Sequence, residues 1–193
     1  SPVIEIKAGY LDKEQIKWWQ DLISKGLGQF FFENKIPFLK PKFTVSASRP
    51  SRIHLDSQGK GILVPVGGGK DSAVTLELLK KAKKQIRCFS LNPTDAALKV
   101  TKTAGCKRPV IVQRTIDKNL LELNRKGFLN GHTPFSAYLA FLTVLVAAIF
   151  KYKEIAVSNE KSSNEGNVKY LGKTINHQWS KSFEFEKKFR SYA

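Results

Sequence analysis

An apolar run that ends in three consecutive glycines is the feature that most constrains how this chain folds. The stretch GILVPVGGGKDSAVTLELLKK, Gly61 to Lys81, passes from apolar residues through the glycines into a helical pattern. Glycines allow backbone N–H groups to approach an anion closely, and the N-terminus of a following helix favours negative charge. The stretch therefore predicts a strand, a phosphate-binding turn between Val66 and Ala73, and a helix.

Candidate strands alternate with helical patterns along the chain, which predicts an α/β fold. We expect strands over residues 62–66, 86–91, 109–113 and 154–158, forming a parallel sheet with helices on both faces. An amphipathic helix over 12–24 precedes extended or hairpin segments, so we expect an N-terminal segment 1–60 and an α/β domain 61–193. Pro65 would remove a ladder donor from an interior strand, and we expect a local irregularity there.

The charge of the chain predicts an anionic partner. Thirty-three lysines and arginines stand against 16 acidic residues, a formal net charge of +17. This balance is typical of proteins that bind nucleic acid, nucleotides, phosphorylated substrates or acidic membranes. A solvated lysine-rich surface explains it equally well.

One uncharged segment and two cysteines bear on where the protein acts. Residues 134–150 lack charge and approach the minimum length of a membrane span, about 17 residues. A strand-like EIAVSN follows at once, so we expect a buried helix and no membrane span.

Cys88 and Cys106 form no CxxC pair, so we expect Cys88 to be a small buried hydrophobic residue without a disulfide scaffold. The expected lack of a disulfide scaffold and the lack of a signal-peptide pattern favour a cytoplasmic protein. The sequence does not indicate the oligomeric state.

Polar side chains follow three of the predicted strands, where ligands bind in parallel sheets. The turn after the first strand offers a phosphate site made of Gly67, Gly68, Gly69, Lys70, Asp71 and Ser72. Residues predicted to assist nucleotide binding follow the second strand: Ser90, Leu91 and Asn92. The loop after the fourth strand, VSNEKSSNEGN, offers carboxylates for a metal ion and amides for a polar substrate, although a ligand-free loop can look similar. Its candidate substrate-binding residues are Asn159, Glu160 and Asn164. Its first metal candidate is Glu165, with Glu160 as the second.

Two further motifs contain histidines. FLNGHTPFSAY offers His132 as a catalytic base, and INHQWSKSFEFE offers His177 and Lys181, four residues apart. The candidate substrate-binding residues beside them are Asn130, Asn176 and Ser180. The structural alternatives are a loop histidine before a helix and a surface helix anchored by aromatic residues.

The sequence Gly67–Ser72, GGGKDS, resembles the pyrophosphate loop S-G-G-x-D-S of the PP-loop, or N-type, ATP pyrophosphatases, with Gly67 in place of the leading serine. The resemblance implies an adenine nucleotide alpha hydrolase-like fold and cleavage of ATP to AMP and pyrophosphate. It also implies Mg²⁺, with Asp71 and Glu165 as metal ligands and Lys70 as a further catalytic residue.

Four motifs together, GGGKDS, NGHTP, SNEKSSNEGN and NHQWSKSFEFE, resemble the ATP-dependent UDP-N-acetylmuramoyl-L-alanyl-L-glutamate epimerase family of bacteria. The resemblance implies a small anionic substrate and a role in peptidoglycan precursor synthesis. ATP would adenylate the α-carboxylate of the terminal L-glutamate, a base would remove the α-proton, and the other face would be reprotonated. Members of that family are longer on both sides, so this chain is expected to be an excised domain or a shorter relative with another substrate.

Two other functions remain open from the sequence. A tRNA-modifying relative that adenylates a base would suit the net charge of +17, although sulfur-transfer versions need paired thiols that this chain lacks. A lysine–tRNA ligase needs no such pair. A non-catalytic nucleotide sensor would keep the loop and lose the chemistry, which the presence of Asp71, Ser72 and Glu165 argues against.

Overall fold

The computed structural model describes residues 3–46, 48 and 59–193. The chain divides into two compact units. The sheet unit comprises residues 55–123 and 138–160, and the terminal unit comprises 1–54, 124–137 and 161–193. The sequence placed the boundary at residue 60, whereas in the structure the segments 124–137 and 161–193 group with the N-terminal segment.

The helices and strands follow one another in an order that alternates most regularly in the sheet unit. In chain order they are β1 (Val3–Ile6), α1 (Lys13–Gly26), α2 (Gly28–Glu33), β2 (Lys42–Val45), β3 (Ile62–Pro65), α3 (Lys70–Lys81), β4 (Ile86–Leu91), α4 (Asp95–Thr103), β5 (Val110–Val112), α5 (Lys118–Arg125), α6 (Phe135–Ile149), β6 (Glu154–Ile155), β7 (Val168–Tyr170), β8 (Lys173–Ile175) and α7 (Phe183–Tyr192). Short 3₁₀ turns cover Lys161–Asn164 and Trp179–Lys181.

The sheet unit contains a four-stranded parallel sheet in the order β5-β4-β3-β6. Val64 of β3 lies opposite Cys88 of β4, and Ile62 lies opposite Glu154 of β6. The chain moves outward from β3 to β4 and β5, and then returns to the other side of β3. The strand order therefore reverses between β3 and β6, which is where open parallel sheets bind ligands at the carboxyl ends of their strands.

Helices cover both faces of this sheet, as the sequence predicted. On one face, Val64 and Cys88 pack with Leu76 of α3 and with Ala104, just after α4. On the other face, the fully buried Phe89 belongs to a separate cluster that includes residues of α6. The hydrophobic runs of β3 and β4 are thus buried on both sides, as parallel strands require.

Pro65 fits into β3 because it lies beyond the last residue of β3 that pairs with β6. The N–H groups of Ile62 and Val66 both donate towards the β4 side, to Gln85 and Phe89. Alternation along the strand directs the nitrogen of Pro65 towards β6, and the pairing with β6 ends at Leu63. The missing N–H of Pro65 therefore interrupts no strand pairing.

The uncharged segment forms α6, whose 15 residues pack against the sheet through Val146 and Ala147. Its outer side leaves Leu145 and Ile149 exposed. Within residues 3–46, 48 and 59–193, no helix has the length and apolar character needed to cross a membrane.

The two cysteines form a disulfide, Cys88–Cys106, which corrects the expectation that Cys88 would be only a small buried hydrophobic residue. Cys88 is fully buried in β4, and the segment from β4 through α4 folds back so that Cys106 reaches the same sheet face. Because disulfides favour oxidising compartments, this pairing removes one reason for placing the protein in the cytoplasm.

The terminal unit is held together by aromatic residues from α1 and α7. Trp18 packs against Tyr192, with ring centroids 4.5 Å apart, and its indole N–H donates to the carbonyl of Lys188. Asp12 begins α1 with a capping box shared with Gln15. These contacts explain why the C-terminal segment belongs with the N-terminal segment and not with the sheet.

Candidate functional site

The glycine loop lies at the carboxyl end of β3, beside the position where the strand order reverses. Gly68 has φ +91° and packs closely against α4, since a Cβ added to it would lie 2.5 Å from the nitrogen of Ala97. Gly67 and Gly69 differ, because at either position an added Cβ would lie within 4 Å of no atom of the described residues. One glycine therefore allows close packing on α4, and its two neighbours leave open space along the loop.

The helix that follows the loop begins without a side-chain cap. Gly69 is the N-cap of α3, and no side chain among the described residues caps the backbone N–H groups of its first turn. By contrast, α4 is capped by Thr94 and α7 by Ser182. The first N–H groups of a helix have no partner within it, so those of α3 are available to an anion.

An ion pair between Lys70 and Glu160 links the segment after β3 to the segment after β6. The ammonium of Lys70 lies 3.0 Å from a carboxylate oxygen of Glu160, and the hydrogen bond and charge of Glu160 raise the pKa of Lys70. The Lys70 side chain is 77% exposed, so the pair can separate easily to admit a ligand. Two residues that the sequence assigned to phosphate and to substrate thus meet in one place.

Three of the predicted nucleotide-binding residues make hydrogen bonds to the scaffold. Ser72 donates to the carbonyl of Gly69 at 2.9 Å, and Ser90 donates to the carbonyl of Val66 at 2.9 Å. Asn92, with φ +42°, is bonded through both ends of its amide to the backbone of Arg114. Leu91 ends β4 and packs at the edge of the apolar cluster of Phe89. These contacts position the loop, and direct nucleotide contacts by these residues stay a prediction.

The terminal unit brings together the histidines of two motifs separated by about 45 residues. The rings of His132 and His177 are perpendicular, with centroids 6.3 Å apart. Burial lowers the pKa of His132, and the charges of His177 and Lys181 lower it further, against the opposing charge of Glu33. His132 is therefore predominantly neutral at neutral pH and able to accept a proton.

The sequence did not indicate the residues around this pair that α2 contributes. The carboxylate of Glu33 lies beside Gly131, where an added Cβ would be 3.1 Å from its oxygen. The amide of Asn34 donates to the carbonyl of Asn130 at 3.3 Å. The short helix α2 was not predicted, because an aromatic stretch interrupted by prolines does not have helical periodicity.

The predicted substrate-binding asparagines of the terminal unit have structural partners. The Asn164 side chain accepts from the N–H of Phe183, and that of Asn176 donates to the carbonyl of Ser163. Asn130 accepts from the N–H of Gly131. Ser180 is buried in the 3₁₀ turn, while Asn159 is exposed at the end of the sheet unit. These side chains shape the loops, and contact with a substrate stays a prediction for each of them.

The two predicted metal ligands belong to different units. Asp71 is half-buried in the first turn of α3 in the sheet unit, and Glu165 is exposed after the 3₁₀ turn of the terminal unit. Across the described part of the chain, no three histidine, cysteine or acidic side chains converge in a metal-binding group. A magnesium ion that kept most of its waters would need only one or two carboxylates together with phosphate oxygens.

The model of the MurL N-terminal domain family matches residues 1–193 of this chain. The chain belongs to that family. It is also similar to proteins named UDP-N-acetyl-alpha-D-muramoyl-L-alanyl-L-glutamate epimerase, which confirms the relationship that the four motifs indicated. It is 36% identical to the protein of Micromonospora sp. over 166 residues, which cover 84% of this chain and 37% of that protein. It is 31% identical to the protein of Xanthomonas oryzae pv. oryzae, over 100% of this chain and 43% of that protein.

A third relative with the same name, from Salinispora tropica, is 34% identical over 84% of this chain and 36% of its own length. The chain thus spans less than half the length of the curated relatives that it matches. No solved structure matches this MurL N-terminal domain. Its relationship to the PP-loop pyrophosphatases consequently stays a prediction from the GGGKDS motif.

Proposed function

We propose that this MurL N-terminal domain is the ATP-using part of an epimerase that inverts the terminal glutamate of UDP-N-acetylmuramoyl-L-alanyl-L-glutamate. The observation that carries the proposal is the open glycine loop at the uncapped N-terminus of α3. The substrate is inferred from the activity for which the relatives are named, and the use of ATP is inferred from the likeness of GGGKDS to the PP-loop. The activity belongs to peptidoglycan precursor synthesis.

The loop suits the leaving pyrophosphate of ATP. The open side of Gly67 and Gly69 would allow phosphate oxygens to reach the backbone, and the unpaired N–H groups of α3 would donate to them. Lys70 would exchange Glu160 for a phosphate, because its ammonium is already exposed beside the loop. Mg²⁺ would be held by the phosphates and by Asp71, the candidate ligand of the sheet unit. Glu165 stays a candidate from the sequence alone.

ATP would transfer AMP to the α-carboxylate of the glutamate, which makes the α-proton more acidic, and pyrophosphate would leave. Inversion at that carbon then needs one group to remove the proton and another to return it to the opposite face. The lowered pKa of His132 suits the role of base, and His177, whose ring lies beside it, is the second catalytic candidate. Hydrolysis of the adenylate would release D-glutamate in the peptide together with AMP. Since ATP is the reactant, the proposal places the protein in the cytoplasm.

The test is release of pyrophosphate from ATP and Mg²⁺ with UDP-muramoyl-L-alanyl-L-glutamate as acceptor, and with bulk tRNA in a parallel reaction. We expect release only with the muramoyl dipeptide. Asp71→Ala should reduce the rate at least a hundredfold, because it removes the carboxylate beside the phosphates. Asp95→Ala is the matched control, since Asp95 also lies in the first turn of a helix of the same sheet.

Three results would count against the proposal. Release with tRNA alone would favour the base-adenylating enzyme. ATP binding without turnover on either acceptor would favour a nucleotide sensor. A normal rate in Asp71→Ala would show that the loop does not have the assigned role.

A further inference from the structure

The terminal unit contains a cleft of about 810 Å³ that the proposed use of ATP leaves unexplained. Its walls come from α1, β8, α7 and the segment before β2, so it belongs entirely to the terminal unit. Trp18, Phe38 and Trp179 contribute aromatic surface to it. Its volume falls within the range typical of small-ligand sites, about 300–1,000 Å³.

The cleft is lined by more positive than negative side chains. The cations are Lys17, Lys25, Lys40, Lys173 and Lys188, and the acids are Glu14, Asp21 and Glu184. A cleft with this excess attracts an anionic ligand.

Two of the acids are already engaged by two of the lysines. Glu184 lies 2.5 Å from Lys25 and 3.2 Å from Lys188, and it also accepts from the indole N–H of Trp179. Asp21 pairs with the same two lysines. Burial alone would raise the pKa of Glu184, but these hydrogen bonds outweigh it and lower the pKa to about 2. Glu184 is therefore charged at neutral pH and paired with both lysines.

The other three lysines have no such partner. In the ranges that the structure describes, Lys17, Lys40 and Lys173 lie within salt-bridge distance of no carboxylate. With Glu14 counted against them, the cleft retains two positive charges. The ligand that this surplus favours carries about two negative charges.

Lys173 is positioned in the cleft by an aromatic ring. Its ammonium lies 4.4 Å from the ring centroid of Phe38, and Phe38 packs in turn against Tyr170, with centroids 5.8 Å apart. A cation held over an aromatic face keeps its charge and loses less side-chain freedom when a ligand binds.

We propose that this cleft binds the uridine diphosphate end of the substrate, with Lys40 and Lys173 on the two phosphates and the base against the aromatic wall. The identity of the nucleotide rests on the proposed function, whereas the preference for a ring-bearing diphosphate rests on the charges and aromatic residues. The sheet unit would thus bind the triphosphate of ATP, and the terminal unit would bind the diphosphate of the acceptor.

The experiment is a titration of the 193-residue chain with UDP, followed by tryptophan fluorescence. Two of the three tryptophans line the cleft, so occupancy should change the emission in a saturable way. We expect UMP and ADP each to bind at least tenfold more weakly than UDP. The double variant Lys40→Gln and Lys173→Gln should weaken UDP binding at least tenfold, and the corresponding double arginine variant should restore most of it.

Lys169→Gln is the matched control, because Lys169 lies in the same β7–β8 hairpin and outside the cleft lining. It should change UDP affinity by less than twofold. Non-saturable binding, equal binding of ADP, or unchanged binding in the glutamine double variant would overturn the inference. Asp71→Ala should bind UDP normally, because Asp71 lies in the sheet unit. If Asp71→Ala also released pyrophosphate at the normal rate, the proposed use of ATP would be refuted and the cleft assignment would stand.

Discussion

Replacing Gly68 and Gly67 in turn with alanine separates the structural role of the glycine loop from its proposed role in binding phosphate. At Gly68 the new Cβ would lie 2.5 Å from the nitrogen of Ala97 and 2.7 Å from the carbonyl carbon of Ala96. Both contacts are with backbone, which cannot rotate away as a side chain can. The φ of +91° adds strain that any L-residue with a Cβ would experience.

The loss of stability expected for Gly68→Ala is the combined cost of the backbone strain and the overpacking. A non-glycine residue at such a φ costs about 1–3 kcal/mol. Overpacking against a fixed neighbour costs about 1–3 kcal/mol. Because one shift of the loop would relieve part of both, we expect Gly68→Ala to lower the free energy of unfolding by about 2–4 kcal/mol. For a chain of this length the melting temperature should fall by roughly 4–16 °C.

Gly67→Ala is the matched variant, because its Cβ would approach nothing within 4 Å in the part of the chain that the structure describes. Thermal and urea unfolding should show a change below about 0.5 kcal/mol, as for an exposed substitution. The methyl group would nevertheless occupy space proposed for phosphate oxygens, so ATP affinity measured by calorimetry should fall at least tenfold. Equal stability of the two variants would refute the packing of Gly68 on α4. Wild-type ATP affinity in Gly67→Ala would refute the phosphate cradle.

Two further predictions concern the terminal unit. Glu184→Gln should remove about 1 kcal/mol near neutral pH, a figure kept small because the side chain is about half exposed. Because the pKa of Glu184 in the folded state is lowered from 4.5 to about 2, this stability is present above pH 4.5 and is lost as the pH falls towards 2. Urea unfolding at several pH values should show the free energies of unfolding of the wild type and the variant converging in acid. A difference that stays constant with pH would contradict the assignment. His132→Gln should stop exchange of the glutamate α-proton with deuterated water while pyrophosphate release continues, and unchanged exchange would exclude His132 as the base.

Much of the sheet unit could be predicted from local sequence. The apolar runs around Ile62 and Ile86 are short, lie between turn residues and alternate with helical patterns. The sequence therefore predicted a parallel sheet with helices on both faces. The exact ends of the strands could not be predicted: β6 covers only Glu154–Ile155, whereas the sequence predicted 154–158. Strand ends depend on which neighbouring residues remain in pairing distance, and a single strand does not carry that information.

The candidate sites also differ in how far local sequence could predict them. The loop from Gly67 to Ser72 was recognisable as a candidate phosphate site because the groups proposed to bind the ligand are backbone atoms made accessible by consecutive glycines. The cleft around Lys173 was not, because its cations come from segments that are far apart in sequence and look like ordinary surface lysines.

By itself, the sequence determined the layered α/β unit, the glycine turn between β3 and α3, and the family. Periodicity, glycine freedom and local motifs are properties of neighbouring residues, and they do not need the rest of the chain. Only the tertiary structure decided that residues 161–193 join the N-terminal segment, that Cys88 meets Cys106, and that His132 lies beside His177. Those outcomes depend on which apolar faces bury each other, and such long-range choices come from the packing of the whole chain.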